Sequence, residues 1–171
     1  MFFPVTSIVR GDNCAQVTTN GKGITHFFPI QSKSQAFEGL LNLINEYGVP
    51  EHVVTDGAKE EGGHDTWKSN WKKLIKRFYI KQSFIQPYCW WQNSAEQEIG
   101  EIRKDIRQYT SWKNSPKRLW GYLGMYVAAK RTYTSQSNPA SLGRSGYKLV
   151  TGEVPDITLY VTIGWYNWVY Y

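Results

Sequence analysis

The chain has 171 residues, with 41% hydrophobic and 20% charged side chains, which marks a globular domain, alone or with a tail, and excludes a disordered polyelectrolyte. Its net charge of +6 and pI near 9.2 suit a polyanionic partner. No apolar run is long enough to span a membrane, Met1-Phe2-Phe3-Pro4 is not built like a signal peptide, and Cys14 and Cys89 are too few for a disulfide scaffold or a closed zinc site, so they read as reduced thiols of an intracellular protein.

In chain order, residues 2–9 read as the tail of a strand. Residues 13–20 and 24–30 are rich in β-branched and aromatic side chains and read as two more strands. Asn20-Gly21-Lys22-Gly23 between them tolerates positive φ and predicts a hairpin turn. A helix follows, with Ser34 as N-cap and Phe37, Leu40, Leu41 and Ile44 on one face. Gly48 and Pro50 end it. His52-Val53-Val54-Thr55 is a short buried strand that stops at Asp56-Gly57. A polar loop over 57–65 leads into a Lys- and Trp-rich helix at 66–77, then a strand from Ile80 to Tyr88.

The 94–109 segment predicts a helix with Ala95, Ile99, Ile102 and Ile106 on one side. Another helix covers roughly 116–134. The remainder, 138–171, is rich in Gly, Pro, Tyr and Trp, shows no helical period and reads as an extended tail wrapping the core. Trp165, Tyr166, Trp168, Tyr170 and Tyr171 in that tail read as packing groups. Strands alternating with helices imply an α/β sheet covered by helices. Catalytic groups gather at strand C-termini in such folds, which draws attention to Asp56.

Two acids stand out. Phosphoryl transfer with divalent cations needs clustered carboxylates, and hard cations such as Mg²⁺ prefer oxygen ligands. Asp56 ends a strand and Glu96 opens a helix. At about 100° per residue, Glu96 shares an azimuth with Arg103 and Arg107, whereas Glu98 falls on the other flank beside Glu101 and Asp105. A carboxylate that works on DNA gains from neighbouring cations that grip phosphates, so Glu96 is favoured over Glu98. Taken singly, an Asp before Gly is a turn residue and a Glu in a first helical turn serves the dipole. The basic runs Lys68 to Lys81, Arg103 to Arg107 and Lys113 to Arg131 are also compatible with solvated faces. His26, His52 and His64 have no metal-ligand spacing.

The wording around the two acids decides between these readings. Gly48-Val49-Pro50-Glu51-His52-Val53-Val54-Thr55-Asp56-Gly57 resembles the strand that carries the second acid of retroviral and retrotransposon integrases. Pro87-Tyr88 followed by Trp91-Gln92-Asn93-Ser94-Ala95-Glu96 resembles that family's P-Y-x-P-x-Q-N-x-x-E block. The two acids lie 40 positions apart, close to the family's spacing. Ser32-Lys33-Ser34 and the Ser145 to Asp156 segment resemble Ty1/copia-type elements in particular.

The resemblance implies an RNase H-like α/β fold, a mixed sheet flanked by helices. It places the catalytic core at 1–136 with a truncated first strand, and an extended tail at 137–171. It implies DNA integration by metal-dependent phosphodiester cleavage and strand transfer. Asp56 and Glu96 would be catalytic and metal-binding acids, and Gln92 and Asn93 would border the site. Arg103 and Arg107 join them as nucleic-acid contacts through the helical face alone. The implied cofactor is Mg²⁺ or Mn²⁺, weakly bound by two acids. The implied partners are DNA and further copies of the protein in a nuclear assembly, with no membrane contact.

Cys89-Trp90-Trp91 departs from the family's wording. The family's first Asp is expected just before Met1, since residues 1–11 hold no acid and Asp12 sits in a turn-like Gly-Asp-Asn. The zinc-binding N-terminal module and a separate C-terminal DNA-binding domain are not visible in the sequence. An inactive remnant that keeps the fold and binds nucleic acid through basic helices is the alternative expectation.

Overall fold

A computed structural model describes residues 5–8, 10–55, 66–85, 94–135 and 142–167. Asp56, His64, Cys89, Gln92, Asn93, Trp168, Tyr170 and Tyr171, singled out in the sequence, lie outside the described residues.

Strands β1 (Cys14–Thr19) and β2 (Thr25–Ile30) pair antiparallel, with Cys14 opposite Ile30 and Thr19 opposite Thr25. The expected turn joins them. Asn20 Oδ1 accepts from the backbone N–H of Lys22 and of Ile24, and Gly21 and Gly23 take positive φ. Helix α1 (Ala36–Tyr47) follows a short 3₁₀ turn at Lys33–Gln35. Ser34, expected as the cap, lies inside that turn. Ser32 takes the N-cap position, and Gln35 Oε1 accepts from the N–H of Gln31 at 2.8 Å.

Strand β3 (His52–Thr55) pairs parallel with β4 (Lys81–Phe84), and helix α2 (Thr66–Arg77) lies between them in the chain. Two long helices complete the core, α3 (Ser94–Trp112) and α4 (Trp120–Tyr133). Among the described residues the strands form one antiparallel and one parallel pair, an α/β arrangement flanked by helices as the sequence predicts.

The apolar patterning builds two cores. Ala15 and Phe27 from the hairpin meet Ile102 and Ile106 of α3 and Trp120, Leu123 and Val127 of α4. Each fully buried aliphatic side chain here contributes roughly 1.5–3 kcal/mol. Leu40, Leu43 and Ile44 of α1 meet Trp71 and Leu74 of α2 and Ile80. The first core fixes α3 against the hairpin. The second fixes the β3–β4 pair.

Three expectations change. Residues 5–8 are not strand. Val5 C=O accepts from Trp120 Nε1 at 2.6 Å and Ile8 N–H donates to Arg118 C=O, so this backbone is spent on the entry to α4. Arg10 and Gly11, both at positive φ, then reverse the chain, and Ser7 N–H closes on Asp12 C=O. Asp12 follows directly on this turn, as its Gly-Asp-Asn context suggests, but is fully buried. The tail also contains two short helices, α5 (Gly146–Thr151) and α6 (Thr158–Thr162), too brief to show a period. Trp165 packs on the first core, as a packing group should, whereas Tyr166 is half exposed.

Candidate metal and nucleic-acid site

Helix α3 presents two acids two residues apart, and the structure gives them different surroundings. Glu96 sits in the first turn, exposed, with no hydrogen bond or ion pair to any described residue. Its position favours the helix dipole and leaves both oxygens available. Arg103 and Arg107 are exposed as well. They fall within about 20° of the Glu96 azimuth, and Arg107 lies about 16 Å farther along the axis. One face of α3 thus carries a carboxylate without a partner among the described residues, followed by two guanidinium groups.

Glu98 is committed elsewhere. Its Oε1 accepts from Thr25 Oγ1 at 2.7 Å, and its Oε2 accepts from Arg131 Nη2 at 2.8 Å. Arg131 Nη1 also reaches Asp105 Oδ2 at 3.3 Å. The expected acidic flank of α3 exists, and α4 supplies the cation that neutralises it. Arg131 had been grouped with the basic runs by sequence. Here its charge is consumed internally, which no spacing along the chain could disclose. Thr132 tightens the same joint. Its hydroxyl donates to Thr25 C=O and accepts from Thr25 N–H, both at 3.0 Å.

Thr55, the last residue of β3, is buried, accepts from Gln82 Nε2 at 3.3 Å through its hydroxyl and receives Ile85 N–H on its carbonyl. The chain thus enters position 56 from a firmly held strand end. Among the described residues no group of three His, Cys, Asp or Glu side chains is placed to hold a metal. Glu96 offers the oxygen chemistry that a hard divalent cation takes, and Asp56, the other acid expected from the sequence, lies outside the described residues. Asp12 does not fit. Its carboxylate is buried without a hydrogen-bond partner among the described residues, and burial pushes its pKa up, partly opposed by Arg10. His26 is buried against Asn42 and His52 bonds to Ser83, so neither resembles a ligand set.

A groove of about 470 Å³ runs between α3 and α4, lined by residues such as Gln108, Tyr109, Trp112 and Lys130. Lys130 donates to the Tyr109 hydroxyl at 2.7 Å, and that bond raises its pKa. The groove opens on the side of α3 away from Glu96, so it is separate from the face just described.

The chain trace can be matched to solved structures. The catalytic core domain of HTLV-2 integrase, solved with magnesium in a trimeric form, superposes with a TM-score of 0.61 at 16% identity, over 80% of this chain and 84% of that one. The fold is that of an integrase catalytic core. The intasome of simian T-cell lymphotropic virus matches at 0.60 and 18% identity, over 83% of this chain and 50% of that one. The BIV integrase core matches at 0.55 and 18%, over 81% and 84%. No protein-family model and no curated protein matches the sequence. At these identities the integrase-core likeness establishes architecture. Among the described residues no helix is long and apolar enough to cross a membrane.

Proposed function

We propose that this chain is the DNA-joining core of an integrase from a Ty1/copia-like retrotransposon. Asp56 and Glu96 are the acids that hold Mg²⁺ or Mn²⁺, which would activate the attacking oxygen and stabilise the leaving one. Gln92 and Asn93 border the site. Arg103 and Arg107 bind phosphates along α3 and set the register of the DNA. The oxygen of water or of a DNA 3′-hydroxyl attacks phosphorus and gives up its proton to solvent as the new P–O bond forms, the P–O bond to the departing strand breaks, and the departing oxygen takes a proton from solvent. The protein acts as a homo-oligomer, in keeping with the trimeric HTLV-2 core and the simian virus intasome, and works on DNA in the nucleus.

The observation that carries this reading is the division of labour on α3. Glu96 is exposed and engages no described residue, on the same face of the helix as Arg103 and Arg107, while Glu98 is spent on Thr25 and Arg131. Thermal melts with and without Mn²⁺ test it. A ligand that binds only the folded state raises Tm. The parent should gain Tm with Mn²⁺, and Asp56→Asn and Glu96→Gln should lose the gain. Asp56→Asn should also melt slightly higher without metal, since two unpaired carboxylates repel. Glu98→Gln should melt lower yet keep the Mn²⁺ increment. A parent chain indifferent to Mn²⁺ would contradict the reading.

A further inference from the structure

Several helices end on a residue at positive φ, α1 on Gly48 at φ 93° among them. Helix α5 ends on Gly152 at φ 80° and α3 on Asn114 at φ 48°. These residue types tolerate that conformation. Helix α2 closes with the same pair of bonds as α3 but on a different residue type. Ile80 N–H bonds to Ile75 C=O at 3.0 Å and Tyr79 N–H to Lys76 C=O at 3.3 Å. That pair of bonds is a Schellman motif, and its left-handed position, normally glycine or asparagine, is Tyr79 at φ 54°. The strain is imposed by packing, because Ile80 must turn back into the core with Leu74 and Trp71.

The side chain does nothing for the fold in return. Tyr79 is 93% exposed. A large aromatic ring held in water on a strained backbone breaks two local rules at once, and such positions point to function. Its surroundings are cationic. Lys73, Lys76 and Arg77 on α2 are exposed, and Lys81 opens β4 two residues on. Cations in a last helical turn serve the dipole, which accounts for Lys76 and Arg77 but not for Lys73, Lys81 or the ring. Arg77 also lies over the Phe78 ring, 5.6 Å from its centroid. Among the described residues the acid paired with these cations is Glu51, 3.6 Å from Lys81, with both side chains so exposed that water screens the pair.

We propose that Tyr79 and the cations around it form a contact for single-stranded nucleic acid, the ring stacking on a base and Lys73, Lys76 and Lys81 gripping the backbone. Aromatic platforms set in a basic surface bind single strands in this way, without sequence preference. Tyr79 lies two residues before β4, at the end of the β3–β4 pair opposite Thr55, at least about 10 Å from it along the strands. The contact draws on no residue of the Glu96 face. It requires a nucleic-acid strand, but not that Glu96 holds metal.

Fluorescence anisotropy of a labelled mixed-sequence 20-nucleotide DNA single strand, in EDTA, tests the contact. Tyr79→Gly should weaken binding about tenfold, the loss of one stacked base, and should raise Tm because glycine relieves the backbone. Tyr79→Phe should bind as the parent does. Lys76→Ala should flatten the dependence of affinity on salt by close to one ion. Heparin, a polyanion without bases, should respond to Lys76→Ala and not to Tyr79→Gly. The proposal is overturned if the parent does not bind the strand, if Tyr79→Gly binds as tightly as the parent, or if heparin and DNA lose affinity equally on Tyr79→Gly. The Mn²⁺ response of Tyr79→Gly should match the parent's, so failure of this contact and failure of the metal site are read separately.

Discussion

Arg131 Nη2 donates to Glu98 Oε2 at 2.8 Å, tying α4 to α3 with both side chains largely out of water. Removing one member of such a pair leaves the other desolvated and short of a partner. Glu98→Gln should therefore cost about 2 kcal/mol in urea unfolding, the scale of a lost charge-assisted hydrogen bond. Glu96→Gln, two residues away and exposed, should stay within about 0.5 kcal/mol. Equal losses would mean that the two acids do not have separate roles.

Asp12 gives a pH-dependent prediction. Burial raises its pKa in the folded state, so the native protein holds that proton more tightly than the unfolded chain does. The penalty for ionising it is absent below the unfolded carboxylate pKa of about 3.9. It grows as pH rises from there through the higher folded value. Asp12→Asn should remove this part of the pH dependence and make the chain more stable than the parent at neutral pH. Urea titrations between acid and neutral pH would show it. A variant less stable than the parent at neutral pH would mean that the carboxylate has a favourable partner.

Much of this fold is legible in the residues because local and tertiary preferences agree. Asn20-Gly21 makes the hairpin turn that its chemistry allows, and Ile102 and Ile106 bury the face of α3 that their spacing marks. The azimuthal separation of Glu96 from Glu98 also follows from spacing alone. What stays hidden is what depends on contacts distant in sequence. Residues 2–9 have strand-like composition, but Val5 and Ile8 spend their backbone groups more than a hundred positions away, on Trp120 and Arg118. Arg131 reads as one more surface cation until Glu98 and Asp105 meet it. Tyr79 carries no sign of its left-handed backbone, because the return of Ile80 to the core imposes it. Asp56, Gln92 and Asn93 are read from motif wording, and they lie outside the described residues.

Two glycines predict opposite outcomes for the same substitution. A Cβ on Gly146, the first residue of α5, would meet the backbone of Gly23 and Ile24 in the hairpin turn, which cannot move aside cheaply. Gly146→Ala should cost about 2 kcal/mol. Gly100 lies in the interior of α3 with open space around its Cβ position. Gly100→Ala should add about 0.5–1 kcal/mol of stability. Chemical denaturation of both variants checks the pair, and a loss at Gly100 would indicate a close approach at that face.

The tail aromatics can be sorted by the same measurement. Trp165 lies 5.8 Å from the Tyr126 ring, and its Nε1 donates to Ser115 Oγ at 3.3 Å, so it closes the end of the first core at the turn between α3 and α4. Nearby, Lys113 Nζ donates to Asn167 Oδ1 at 2.8 Å and holds the chain after Trp165 against the same turn. Trp165→Ala removes a half-buried ring and one hydrogen bond. It should cost about 2 kcal/mol, below the roughly 3–5 of a fully buried aromatic. Tyr166 is half exposed and is not among the groups packed on that core. Tyr166→Ala should stay within about 0.5 kcal/mol. If instead Trp165→Ala left stability unchanged while altering self-association in sedimentation, the ring would belong to a protein contact. The packing of Trp165 on Tyr126 and its bond to Ser115 favour the first outcome, since a side chain already committed within its own chain has little surface left for a partner.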